Sequence, residues 1–171
     1  MSEDIRIYVA CLAAYNSGYL HGRWIDATLE LDDIWEQVKV MLAASPVEDS
    51  EEYAIHDYEG FGGYGLGDYE GIERAHELAC FIEEYPALAG ELLNHFGGSL
   101  DDARKAVEDQ YSGCYSSLAD YVQEWTENTS EIPSSLEFYI DYERMGRDFE
   151  LSGDIFTIET AHDEIHIFWS H

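Results

Sequence analysis

Basic side chains are scarce in this sequence. Its 8 Lys and Arg stand against 37 Asp and Glu, a formal net charge of −29 at pH 7. A chain so short of cations repels nucleic acid, anionic membranes and phosphate-bearing substrates, and it attracts cations or basic protein surfaces. Small soluble domains do well with a net charge of magnitude about 2 to 8, so solubility alone does not account for the excess. Cysteine is also sparse. Cys11, Cys80 and Cys114 are odd in number and far apart, with no C-x-x-C, which argues against a disulfide framework or a structural zinc and predicts buried free thiols in a reducing compartment. The longest apolar run, Ile7 to Tyr15, is far shorter than the ~20 residues that span a bilayer. The opening MSEDIR lacks the basic n-region of a secretion signal. A soluble cytoplasmic protein is expected, in which Asn128-Thr129-Ser130 matches the glycosylation pattern only by chance.

Apolar and aromatic residues are plentiful, at 46% and 14% of the chain, so this is not the composition of a disordered acidic tail. A length of 171 residues suits one ordinary domain, or two or three small modules sharing apolar faces. IRIYVAC (Ile5 to Cys11), GRWIDA (Gly22 to Ala27) and YAIHDYE (Tyr53 to Glu59) read as strands, and Ile34, Val38, Met41 and Leu42 mark a helix between the second and third. The middle reads helical, with Ile72, Ala75, Leu78, Ala79 and Ile82 on one face, followed by PALAGELLNHF and by SLDDARKAVEDQ with Ser99 as N-cap. A third segment offers YSGCYSS as a strand and a helix from about Leu118 to Glu127. The spacing of Ser134 and Glu137 is that of a capping box opening another helix. DIFTIET and EIHIFWS alternate with period two around Ala161-His162-Asp163 and predict a hairpin. The fold class is therefore α+β, with helices concentrated in the centre.

Two motif matches fail on their chemistry. Gly60 to Gly65 fits G-x-G-x-x-G, but a dinucleotide fingerprint needs a pyrophosphate to approach backbone N–H groups. Here Asp57, Glu59, Asp68 and Glu70 flank the loop with negative charge. His162 to His166 resembles H-E-x-x-H, but Asp163 replaces the required Glu and the period-two pattern puts the histidines in a hairpin, not on one helical face. No stretch has the calcium register D-x-[DN]-x-[DN]-G-x₅-E, and no carboxylate pair is distinguished as an acid and base. Neither a metal nor a cofactor is called for. The doublet Asp57-Tyr58-Glu59-Gly60 and Asp68-Tyr69-Glu70-Gly71 is read as a flexible acidic junction in which Tyr58 and Tyr69 pack.

What distinguishes the acids is their arrangement. Asp120, Glu124 and Glu127 recur at i, i+4 and i+7, opposite Leu118, Val122 and Trp125, with no base between Ala106 and Glu143. Successive charges there rise about 4.5 to 6 Å along the helix, and duplex DNA places a phosphate about every 3.4 Å on each strand. Glu70, Glu73, Glu77 and Glu84 make a second stripe relieved by Arg74, and Asp101, Asp102, Glu108 and Asp109 crowd a third beside Arg104 and Lys105. Like charges at i, i+4 cost about 0.2 to 0.5 kcal/mol each, which lysines could have relieved.

LAAYNSGYLHGRWID, YAIHDYEGF, FIEEY and above all YIDYERMGRDFELSGDIF resemble the ArdA family of antirestriction proteins over essentially the whole chain. The resemblance implies a protein of mobile genetic elements that imitates the phosphate backbone of bent duplex DNA and occupies the DNA-binding groove of type I restriction-modification enzymes, on their specificity and modification subunits. It further implies an elongated chain of three small domains, here residues 1–61, 62–108 and 109–171, joined as a homodimer through the last. Such a protein is neither an enzyme nor a binder of nucleic acid. The eleven acids of the three stripes are the expected partner-binding surface; Arg144 and Arg147 depart from that uniform acidity, and their expected pairing with Glu143, Asp148 or Glu150 suggests a structural or dimer-facing role. Two other readings stand beside this one: a generally acidic, salt-adapted or cation-binding cytoplasmic protein, and an acid/base hydrolase.

Overall fold

The computed structural model describes residues 4–67 and 70–170. Helices and two small antiparallel sheets make the chain mixed α+β. Contacts divide it into two compact units, Met1–Asn94 and His95–His171. The expected central segment is shared between them.

In the first unit β1 (Arg6–Cys11) is the middle strand of a sheet ordered β2-β1-β3, with β2 (Gly22–Asp26) and β3 (Tyr53–Glu59) both antiparallel to it. Period-two alternation buries Ile7, Val9 and Cys11 completely, and Ile25 faces Ile7 across the ladder. After the short α1 (Leu12–Asn16), helix α2 (Leu31–Ala43) brings Ile34, Val38 and Met41 into the buried core, while Asp32 and Asp33 sit in its first turn, where the helix dipole favours acids. Helix α3 (Ile72–Glu84) buries the five expected residues and Phe81 as well. His76 ties α3 to the sheet unit, its Nδ1 donating to the Ala27 carbonyl at 2.9 Å. Helix α4 (Ala89–His95) buries Ala89, Leu92 and Leu93.

The second unit opens with α5 (Leu100–Lys105), capped as expected by Ser99, whose hydroxyl accepts from the Asp102 N–H at 3.3 Å. The helix widens into a π-turn over Ala106–Gln110 and passes into β4 (Tyr111–Tyr115). Ser117 caps α6 (Leu118–Thr129) in the same manner. Helix α7 (Tyr142–Ser152) leads to the predicted hairpin of β5 (Ile155–Ala161) and β6 (Glu164–Trp169), and the sheet order is β4-β6-β5. Tyr121, Val122, Ile155 and Ile167 form its core, flanked by Leu118, Trp125, Phe149 and Trp169. The Trp169 indole N–H donates to the Tyr121 hydroxyl at 2.7 Å. Gly146 permits α7 to approach α6, since a Cβ there would lie 3.0 Å from Leu118 Cγ.

Three sequence expectations are corrected. No helix opens at Ser134: a 3₁₀ turn covers Glu137–Tyr139, and α7 begins after Asp141, whose carboxylate accepts from the Arg144 N–H at 3.0 Å. The Ser134–Glu137 spacing offered a cap, but Leu136, Phe138 and Tyr139 are exposed, so no buried stripe stabilises a continuous helix there. Cys11 is buried and Cys80 half-buried, but Cys114 is exposed. Arg144 and Arg147 are exposed, and among the described residues neither forms an ion pair. The acids nearest them in sequence are exposed too, where water offsets most of the gain from pairing.

On the opposite side of the hairpin, His166 joins three strands. The Tyr111 hydroxyl lies 2.7 Å from its Nδ1 and Thr160 Oγ1 lies 3.0 Å from its Nε2, with Thr160 Oγ1 also donating to Glu164 at 3.1 Å. Those partners suit a neutral ring that accepts at Nδ1 and donates at Nε2. Burial holds the imidazole pKa below its usual value, the Glu164 charge opposing it. A histidine that is harder to protonate when folded contributes stability above its unfolded pKa of about 6.5, lost as pH falls through the lower folded value. His166→Gln, which cannot titrate, is expected to flatten the fall in urea midpoint between pH 7 and pH 5; an unchanged slope would remove His166 as its cause.

Candidate functional site

No polar or charged residue is buried among the described residues. The carboxylates therefore lie wholly or partly in water, and the question is how each is displayed. On α6, Asp120, Glu124 and Glu127 are exposed on the side away from the buried Tyr121 and Val122. They step about 6 and 4.5 Å along the axis. Glu124 accepts a hydrogen bond from Tyr115, which together with burial and the carboxylate charge raises the phenol pKa. Gln123 Nε2 donates to Glu127 at 3.1 Å. These neutral donors fix the carboxylates without cancelling their charge. Beyond the end of α6 an open cavity of about 480 Å³ is lined by Glu127, Glu131 and Glu137 with Ser130, Ile132 and Ser134.

Asp101 and Asp102 are exposed in the first turn of α5, and Glu108 and Asp109 in the π-turn. Arg104 lies 3.5 Å from Glu108 in an exposed i,i+4 pair, a contact of little energetic weight. In the first unit Glu73, Glu77 and Glu84 are exposed on α3. Glu70 differs from the rest of its stripe. It is half-buried, its Oε1 lies 3.4 Å from the Tyr64 hydroxyl, and its Oε2 is buried with no hydrogen-bond partner. Burial, then the Glu70 charge and hydrogen bond, raise the Tyr64 pKa, with Arg74 opposing. Four of the eleven expected residues thus belong to the first unit and seven to the second.

Sequence reasoning missed the acids of the first sixty residues. Asp32 and Glu36 are exposed at i, i+4 on α2, and Glu48, Asp49, Glu51 and Glu52 are exposed before β3. The helical phase of Ile34, Val38 and Met41 was the signal that could have found the first pair.

The two motif matches end as surface features. The Gly60–Gly65 loop follows β3, but α3 begins only at Ile72, so no helix N-terminus opens onto the loop. Tyr58 packs there edge-on against Phe61, with centroids 5.8 Å apart, while Asp68 and Tyr69 lie outside the described residues. His162 is in the exposed hairpin turn and His166 on β6. Among the described residues no group of three or more His, Cys, Asp or Glu could hold a metal ion. Nor, among the described residues, is any helix long and apolar enough to cross a membrane.

Two small apolar cores that leave their carboxylates in water define an acidic α+β protein whose distinctive feature is its surface. The chain belongs to the ArdA family: the family described as Antirestriction protein (ArdA) matches residues 7–164. Membership implies antirestriction, and with it an interaction with restriction enzymes. A search of curated proteins finds no match to the chain.

Proposed function

We propose that this protein acts in the cytoplasm without catalysis, inhibiting type I restriction-modification enzymes by laying its carboxylates in the groove that otherwise holds DNA. The observation that carries the reading is α6, where Asp120, Glu124 and Glu127 stand exposed in one row and the hydrogen-bond partners of Glu124 and Glu127, Tyr115 and Gln123, are neutral. Lys and Arg residues that neutralise phosphates would meet carboxylates at comparable spacing, and the complementary field would steer the encounter. In cells carrying a type I system, expression of the protein is expected to raise the plating of unmodified phage toward that of modified phage. Plating that stays restricted despite expression rules the reading out.

The three-part division at residues 61/62 and 108/109 and the homodimer belong to the same proposal. Support for the dimer lies in the second unit, where Phe138 is 91% exposed and Leu151 84% exposed, with Leu136 and Tyr139 also in water. Exposed Arg144 and Arg147 on α7 would meet acids of a second copy. Light scattering is expected to give twice the chain mass for the wild type and the chain mass for Phe138→Asp. A dimer that survives the change would place its contact elsewhere.

A further inference from the structure

The outer face of the first unit's sheet carries more than acids. Antiparallel partners share a face, and Tyr8 stands opposite Trp24 on β2 and Asp57 on β3, as Arg6 stands opposite Asp26 and Glu59. The Tyr8 and Trp24 rings are 5.4 Å apart. Tyr8 lies across Gly22, where a Cβ would come within 2.7 Å of the ring, so the glycine is what lets the ring lie along the sheet. Trp24 remains 37% exposed.

Arg6 shows what this face holds. Its guanidinium lies 5.1 Å from the Trp24 ring centre and pairs with Glu59. The neighbouring Asp57 is exposed, its Oδ1 accepts from the Tyr58 N–H at 2.8 Å, and among the described residues no cation is paired with it. An aromatic ring beside an unneutralised carboxylate favours a planar guanidinium over an ammonium, since arginine stacks and hydrogen-bonds at once. Asp26, Asp57 and Glu59 outnumber Arg6 and oppose any phosphate-bearing ligand.

We infer that the face formed by Tyr8, Trp24 and Asp57 binds an arginine side chain of the protein partner, repeating the arrangement that Arg6 makes within the chain. The inference rests on the proposal that the partner offers a basic groove, and it assigns an arginine-selective contact to the first unit.

Nona-arginine and nona-lysine, titrated against the full chain at low salt, test it. The wild type is expected to bind the arginine peptide roughly two- to fivefold more tightly. Trp24→Leu and Asp57→Asn should each reduce that ratio, and Trp24→Phe should keep most of it, which separates loss of the ring from a folding defect. Asp120→Asn/Glu124→Gln/Glu127→Gln should weaken both peptides alike and leave the ratio standing. Equal binding of the two peptides by the wild type, or a ratio untouched by both Trp24→Leu and Asp57→Asn, overturns the inference alone. Failure of the wild type to bind either peptide overturns the basic-groove proposal and this inference with it.

Discussion

Raising the salt from about 50 to 200 mM is expected to weaken binding to a type I restriction-modification enzyme about a hundredfold, because a contact made of many exposed charges is screened and loses its counterion-release contribution together. Replacing Asp120, Glu124 and Glu127 with their amides should cost about tenfold at low salt and little at high salt. The argument is one of arrangement. Each acid is exposed, so its interaction with one cation is worth about 0 to 1 kcal/mol. Three in a row on a rigid helix act jointly, and the amides keep their size while removing three charges. Neither Tyr115 nor Gln123 neutralises this row. Isothermal titration at three salt concentrations reads both effects. An affinity independent of salt, or amide variants as weak at high salt as at low, would mean that apolar contact rather than charge holds the complex.

The sequence pattern and the structure agree where a buried stripe exists. β1, α3 and the β5–β6 hairpin have strong periodicity because each packs against a core, and Ser99 caps where predicted because a helix with a buried Ala103 follows it. They part where local signals stand without burial. The Ser134 capping spacing had no apolar stripe behind it, and α7 took Asp141 instead. Charge of both signs near Arg144 suggested local pairs, whereas exposed charges gain little from pairing, and among the described residues these arginines form no ion pair. Acids on a helix were readable from the phase of their apolar neighbours, as on α6. The outer face of the first sheet was not, because it joins Arg6 to Glu59 across 53 residues and depends on strand register. Register is set by which face is buried, a property of the assembled sheet.

Gly90→Ala is expected to destabilise the first unit by about 3 kcal/mol, at the upper end of what an added methyl costs in a packed site. A Cβ at residue 90 would fall 1.9 Å from the Gly62 carbonyl oxygen and 2.9 Å from its Cα, so it meets backbone and not a side chain able to turn aside. Gly62 is itself left-handed, with φ +61°, and a Cβ there would lie 3.3 Å from Gly90 Cα. Two glycines thus let the loop between β3 and α3 rest on α4 backbone to backbone, and Asn94 Nδ2 reinforces the contact by donating to the Gly63 carbonyl at 3.3 Å. Gly71→Ala is the matched control. Its φ of −81° is open to any residue and its added Cβ would meet nothing within 4 Å, so it should stay within about 1 kcal/mol of the wild type. Urea unfolding separates the two: Gly90→Ala should lower the midpoint at an unchanged slope, and a midpoint equal to that of Gly71→Ala would show that the loop does not depend on this contact. Because the added methyl carries no charge, partial loss of inhibition in Gly90→Ala should follow the folded fraction and not the salt, the opposite of what the α6 amides are expected to do.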